Sequence, residues 1–179
     1  SFTINNQPMA VVKSFSYLGV LFDSGQRWSS LLRQRALGMN RAIQGTFEFA
    51  TRLGRSPTDT MLQIFKSKVL SIATYGCDVW GFANASSLQI VENNFCKRLL
   101  SLPQSASTFA AHEELGLGYL SDLFALCPLL LWMKVWVSDD FSLNRANIKN
   151  CLDLDGIGKI AWPNHIKKRF SLLGRPDLF

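Results

Sequence analysis

From Arg27 to Leu53 the apolar residues return at helical spacing, and no other feature of this chain limits its fold as tightly. Trp28, Leu32, Met39, Ile43, Phe47 and Ala50 fall within an arc of about 100° at 3.6 residues per turn, so a helix here buries one stripe. Gly54 supplies its C-cap. The same period continues downstream. Ser56-Pro57-Thr58 starts a second helix whose buried stripe is Met61, Leu62, Phe65, Val69 and Ile72, with Lys66 and Lys68 left more exposed. The segment from Tyr75 to Gly81 interrupts that helix. Ser86-Ser87 then opens another, carrying Leu88, Val91, Phe95, Leu99 and Leu102 and closed by Pro103. A short helix from Ser107 to Leu115 ends at Gly116. A nearly all-apolar one from Leu120 to Val137 forms a second buried layer, with a kink expected at Pro128. Beyond Asp140 we expect a short helix around Arg145 to Leu152, a turn at Asp155-Gly156, and a basic amphipathic tail through Ile166, Phe170 and Leu173.

Ahead of the helices the period changes to two. Phe2, Thr3 and Ile4 lead into the turn cluster Asn5-Asn6-Gln7-Pro8, followed by Met9 to Lys13 and Phe15 to Phe22, two runs rich in β-formers. Along the second run Phe15, Tyr17 and Gly19 share one face while Leu18, Val20 and Phe22 share the other, and Asp23-Ser24-Gly25 ends the strand. The expected class is mainly α: a short N-terminal β-hairpin followed by a multi-helix bundle.

Charge singles out one side of the first helix. On the same wheel Arg27, Arg33, Arg41, Arg52 and Arg55 fall within about 120° of one another, opposite the apolar stripe. From Arg27 to Arg55 six arginines stand against the single acid Glu48, a net +5 within a chain whose total is +6. Salt-bridged surface helices interleave acids, so this face reads as a phosphate-binding surface more readily than as a merely solvated one. Arg35 falls at the edge of the apolar stripe, where a guanidinium needs a carboxylate beside it or a route to solvent.

At 179 residues, with 47% hydrophobic and 18% charged residues, the chain has apolar mass enough for a core, which excludes wholesale disorder and makes a metal or disulfide staple unnecessary. Cys77, Cys96, Cys127 and Cys151 are widely spaced, with no Cys-x-x-Cys and no His-rich pair, so no metal and no cofactor is expected. No signal peptide is read, and an intracellular, reducing location is expected, nucleus or cytoplasm left open. The uncharged run Leu123 to Met133 is too short to span a bilayer, so no membrane partner is expected. The chain opens inside a strand-like pattern without an initiator Met and stops at Phe179 without a tail, and so reads as a piece of something longer.

Four segments in order carry a resemblance. Phe15-Ser16-Tyr17-Leu18-Gly19-Val20, with Gly25 and Trp28 following, resembles the segment just after the catalytic palm of non-LTR (LINE-type) retrotransposon reverse transcriptases. Tyr75-Gly76-Cys77-Asp78-Val79-Trp80-Gly81 is similar to that family's Tyr-Gly-x-Glu-x-Trp segment. Phe95-Cys96-Lys97-Arg98-Leu99-Leu100-Ser101-Leu102-Pro103 is similar to its Phe-x-Lys-x-x-Leu-x-x-Pro helix end, and Glu114-Leu115-Gly116 to its Glu-Leu-Gly. The resemblance covers roughly residues 13 to 120, and the order of the segments gives it weight. It implies three regions: 1–25, a hairpin like the end of the palm, with Tyr17, Leu18 and Gly19 as primer-grip-like residues; 26–118, a helical thumb-like region; and 119–179, a helical connector of uncertain identity. It also implies RNA or DNA, as a template–primer duplex, and the remainder of a reverse transcriptase polypeptide as partners. Asp78 replaces the family's Glu and keeps the charge. The paired palm aspartates that hold the family's catalytic metals precede the Tyr-Leu-Gly segment, before residue 1, so no enzyme activity is expected of this chain by itself.

Other chemistry is poorly supplied. Asp139-Asp140, the only adjacent acid pair apart from Glu113-Glu114, reads as a solvated helix end, and Leu154-Asp155-Gly156-Ile157-Gly158 as an ordinary turn in preference to a phosphate-binding hairpin, since Pro163 would break its second helix. Asp153 and Asp155 lack the register of a calcium loop. His112 and His165 have no Ser or Cys at motif spacing. Lys97 with Arg98, and Lys167, Lys168 and Arg169, read as secondary basic clusters, and Trp80, Trp132, Trp136 and Trp162 as core residues before base-stacking ones. The alternative to nucleic-acid binding is a helical protein-interaction module, possible host adoption included, whose stretch Leu123–Val137 covers a partner.

Overall fold

The N-terminal β-formers make two short antiparallel ribbons, β1 (Thr3–Ile4) with β2 (Gln7–Pro8) and β3 (Ser14–Tyr17) with β4 (Val20–Asp23). The computed structural model describes residues 3–4, 7–25, 28–54, 57–138, 143–155 and 161–178. The run Phe15 to Phe22 is not one strand but the hairpin itself. Leu18 and Gly19 both take positive φ, 47° and 77°, and reverse the chain in two residues, a turn whose twist matches that of the flanking strands. Phe15 therefore sits opposite Phe22, on the same face and not on opposite faces as a single strand would have it. Met9 to Lys13 forms no strand; its Lys13 carbonyl accepts from the Ser24 N–H at 2.9 Å as the β3–β4 ribbon begins, and Met9, Val11 and Val12 are exposed.

A leucine at φ 47° is held against the ordinary preference of L-residues, at a cost of about 1–2 kcal/mol. Two long-range hydrogen bonds hold it there: the Tyr75 hydroxyl donates to the Leu18 carbonyl at 2.8 Å, and an Arg35 Nη2 donates to the Gly19 carbonyl at 2.8 Å. Because the Leu18 side chain is 71% exposed, its replacement loses little packing. Leu18→Asn should raise stability by about 1 kcal/mol in urea unfolding, asparagine tolerating the left-handed region. A lower midpoint would show that the turn is not strained.

Helix α1 (Ser29–Arg52) buries Leu31, Leu32, Met39, Ala42, Ile43 and Thr46, and the Thr46 hydroxyl is satisfied by the Ala42 carbonyl at 2.8 Å. Packed on it are α2 (Thr58–Ile64), one turn of π-helix (Phe65–Val69) and α3 (Leu70–Thr74), which follow one another without a break and widen in the middle. Phe65 and Val69 fall on that π turn and are buried, and Phe65 stacks on Phe95 with ring centroids 4.1 Å apart. Lys66 and Lys68 are exposed, as the period required.

Helix α4 (Cys77–Trp80) begins after Gly76, which takes φ 71°. Helix α5 (Ser86–Leu99) stops before Pro103. Ser101 takes φ 55°, its N–H bonds to the Arg98 carbonyl at 3.1 Å, and that of Leu102 bonds to the Lys97 carbonyl at 2.8 Å. The helix end is thus a left-handed cap on a serine, two residues upstream of the proline expected to close it. Helix α6 (Thr108–Leu115) is capped by the Ser107 hydroxyl on the Ala110 N–H at 3.4 Å and by Gly116 at φ 58°.

The chain divides into two compact units, residues 1–75 with 85–117 and residues 76–84 with 118–179. The second contains α4, α7 (Leu120–Val137), α8 (Leu143–Asp155), α9 (Ala161–Leu172) and a closing 3-10 turn (Pro176–Leu178). Leu129, Trp132, Ile166 and Phe170 form its core, with Trp136, Ile148, Leu152 and Trp162 packed around them. Leu173, expected on the same stripe, is exposed because α9 has already ended. Pro163 does not break α9 but lies in its first turn, where backbone N–H groups have no helical partner in any case.

Helix α7 runs unbroken through Pro128. Proline has no N–H for the Phe124 carbonyl four residues earlier, and Gly81 lies against that oxygen: a Cβ at position 81 would fall 2.4 Å from it and 2.5 Å from the Cys77 carbonyl. Only glycine lets these backbones approach so closely. With Asp122 and Lys134 inside it, α7 is longer than the uncharged run Leu123–Met133. By length and composition it is the one helix among the described residues long and apolar enough to cross a membrane, a test that core helices also pass.

Candidate nucleic-acid interface

Arg33, Arg41 and Arg52 are exposed on one side of α1, away from its buried stripe. At 1.5 Å per residue they stand about 12 Å and about 16 Å apart along the axis. None of the three has an ion-pair partner among the described residues. Arg27 and Arg55 lie outside the described residues, so the arc rests on the three that α1 carries. Glu48 lies on the same side, one turn before Arg52, and is exposed without an ion pair to it. It is the one acid that interrupts the positive field of this face.

At the C-terminal end of α1 a cleft of about 530 Å³ opens between Thr51, Pro57, Met61, Leu99 and Ser101. Its wall includes Arg98, whose guanidinium carbon lies 3.9 Å from the centre of the Phe47 ring, a cation–π contact that keeps the charge in place at the opening. Arg98 thus separates from its neighbour. Lys97 is buried and its ammonium donates to the Gln104 carbonyl at 2.6 Å, which removes it from the basic surface. Lys167, Lys168 and Arg169 are exposed on α9, in the other unit.

Tyr17, Leu18 and Gly19 occupy the tip of the β3–β4 hairpin, with Tyr17 and Leu18 exposed. The turn is fastened to the helices by Tyr75 and Arg35, whose guanidinium carbon lies 5.1 Å from the Tyr75 ring centre. Arg35 has no carboxylate partner among the described residues and is half-buried, so of the two expected outcomes it keeps a partial route to solvent. Its partners are a backbone carbonyl and an aromatic face, and its Nε is buried without a hydrogen-bond partner. Burial lowers its pKa, yet a guanidinium stays charged at any ordinary pH.

His112 is not an ordinary surface residue. It is buried, with Nδ1 3.2 Å from the Leu117 carbonyl, Nε2 2.9 Å from Asn93 Oδ1, and the Cys96 sulfur 3.8 Å from Nε2. Cys, His and Asn meet here as they do in thiol hydrolases, but the electrostatics run the other way. Burial, and then the charge of Glu92, push the Cys96 thiol up to about 12, and no face of it is open to a substrate. The cluster is a satisfied core network. The folded chain keeps this proton up to about 12 whereas an unburied thiol at 9.0 loses it, so the stabilisation is complete below pH 9 and declines as pH rises from 9 toward 12. Urea midpoints should therefore fall between about pH 8 and about pH 10.5, and Cys96→Ala should lessen the decline. Equal midpoints at both would contradict a buried neutral thiol.

Trp80 and Trp132 are buried and Trp136 and Trp162 half-buried, so the tryptophans serve the core. His165 lies 5.4 Å from Phe82, ring on ring. Asp153 is an exposed residue within α8. Asp139-Asp140 and Gly156 to Gly158 lie outside the described residues. One cluster escaped the sequence pattern because its members are distant in the chain: Cys77 and Asp78 of α4 with Cys127 of α7. Comparison with protein-family models, with curated proteins and with solved structures finds no match to this chain.

Proposed function

We propose that the chain binds nucleic acid through backbone phosphates along the Arg33, Arg41 and Arg52 face of α1, as a thumb-like segment related to LINE-type reverse transcriptases and without polymerase activity of its own. The observation that carries this is three exposed arginines on one helix with no ion pair among the described residues, since salt-bridged surface helices interleave acids. The Arg98 cleft beyond Arg52 extends the positive path, and the fastened hairpin tip with exposed Tyr17 matches the primer-grip-like role that the resemblance implies. The partner is an RNA–DNA or other template–primer duplex, with the rest of such a polypeptide, in an intracellular, reducing setting. Phosphate contacts position without reading sequence, so binding is salt-sensitive with little base preference.

Fluorescence anisotropy with an RNA–DNA duplex and with single strands, at two salt concentrations, tests this. Tight duplex binding that weakens steeply with salt is expected, and its absence at low salt would refute the reading. Glu48→Gln should raise affinity about threefold and steepen the salt dependence, by removing the acid from the face. An unchanged affinity would place the duplex elsewhere.

A second reading has its own observation. Leu123, Leu126, Leu130, Met133 and Val137 of α7 are exposed at spacings of three, four, three and four residues, a heptad-like stripe suited to a partner helix. Concentration-dependent mass in sedimentation, abolished by Leu126→Glu with Leu130→Glu, would favour it.

A further inference from the structure

The second unit holds a cluster that the nucleic-acid reading does not use. Cys77 is the first residue of α4, Asp78 the second, and Cys127 lies just before Pro128 in α7. Gly81 permits the close approach of these two helices, because a side chain there would strike the Phe124 carbonyl. The Cys77 and Cys127 sulfurs and a carboxylate oxygen of Asp78 all lie within 4.8 Å of one another, and both thiols are free. The three donors run from inside to outside: Cys77 is buried, Cys127 half-buried and Asp78 exposed.

Every member of this group is neutral or negative. Three such donors repel one another when ionised, and only a cation among them reverses that balance. Around a zinc ion, with ligands at 2.0–2.3 Å, neighbouring donors stand about 3.5–3.8 Å apart, so closure by about 1 Å completes the set. Two sulfurs exclude magnesium and calcium and favour a borderline-soft ion.

We propose that Cys77, Asp78 and Cys127 bind one divalent cation of the zinc type through two thiolates and one carboxylate oxygen, with a fourth position left to water. On binding, two S–H bonds give way to two metal–sulfur bonds, two protons pass to the buffer, and no electrons are transferred.

The test is anaerobic titration of the reduced full chain with cobalt(II), read by the thiolate-to-cobalt charge-transfer band and the visible bands of a tetrahedral site, followed by displacement with zinc. Saturation at one equivalent is expected. Cys127→Ser should weaken binding by about 100-fold with loss of about half of the charge-transfer intensity at saturation, whereas Asp78→Asn should keep that intensity and bind about tenfold more weakly. Far-UV circular dichroism confirms that each variant is folded. If Cys127→Ser fails to fold, Asp78→Asn decides, since its carboxylate is exposed and outside the core. Absence of a charge-transfer band, a band that Cys127→Ser retains in full, or affinity indifferent to Asp78→Asn would overturn the proposal. So would a Cys77–Cys127 disulfide forming under a glutathione redox buffer while the reduced chain takes up no metal.

Discussion

Gly81→Ala is expected to destabilise the second unit by about 3 kcal/mol, a large effect for one methyl group. Backbone conformation is not the reason, for Gly81 has φ −59° and ψ −13°, which alanine adopts freely. The added Cβ would fall 2.4 Å and 2.5 Å from two carbonyl oxygens, of Phe124 and Cys77, and 3.1 Å from Pro128 Cγ. Backbone oxygens cannot rotate away as a side chain can, so α4 and α7 must separate, and the Trp80–Phe124 contact at 5.0 Å loosens with them. Four of the five tryptophans, Trp80, Trp132, Trp136 and Trp162, belong to this unit, so urea unfolding followed by their fluorescence reports on it directly. Gly45→Ala in α1 is the control. Nothing lies within 4 Å of its Cβ position, and alanine in an open helical site should stabilise by up to about 1 kcal/mol. The same chemical change thus has opposite signs at the two positions. A Gly81→Ala variant within about 0.5 kcal/mol of the parent would refute the close approach.

Reversing charge at Arg41 and Arg52 together should lower duplex affinity by about 100-fold at low salt and reduce the slope of log affinity against log salt by about two. Each substitution removes one phosphate contact and adds a repulsion. Both side chains are exposed and unpaired among the described residues, so circular dichroism and the unfolding midpoint should stay as they were. Single reversals should each have about half the effect in free energy, since the two positions are about 16 Å apart along α1 and share no partner. Full affinity in the double variant would exclude the α1 face and leave α9, with Lys167, Lys168 and Arg169, as the basic surface to test.

The α1 stripe, the Gly116 cap and the burial of Ile166 and Phe170 follow from spacing along the chain, because a helix turns local order into a face. The arginine face follows for the same reason, except that α1 itself spans Ser29 to Arg52 and so carries three of the five. The hairpin was legible as β-structure but not as a reversal at Leu18-Gly19, since a leucine has no local reason to take positive φ. Tyr75 and Arg35, remote in sequence, supply that reason. Lys97 looked like surface charge until α5 ended early at Ser101 and brought the Gln104 carbonyl onto its ammonium. Cys96 with His112, and Cys77 with Asp78 and Cys127, have no motif spacing at all. Periodicity records which side of an element faces inward, whereas the meeting of two such sides depends on helix ends and backbone clearances such as Gly81. These are set by packing between distant residues, and there the identity of a neighbour decides whether a thiol, an imidazole or a guanidinium is core, clamp or site.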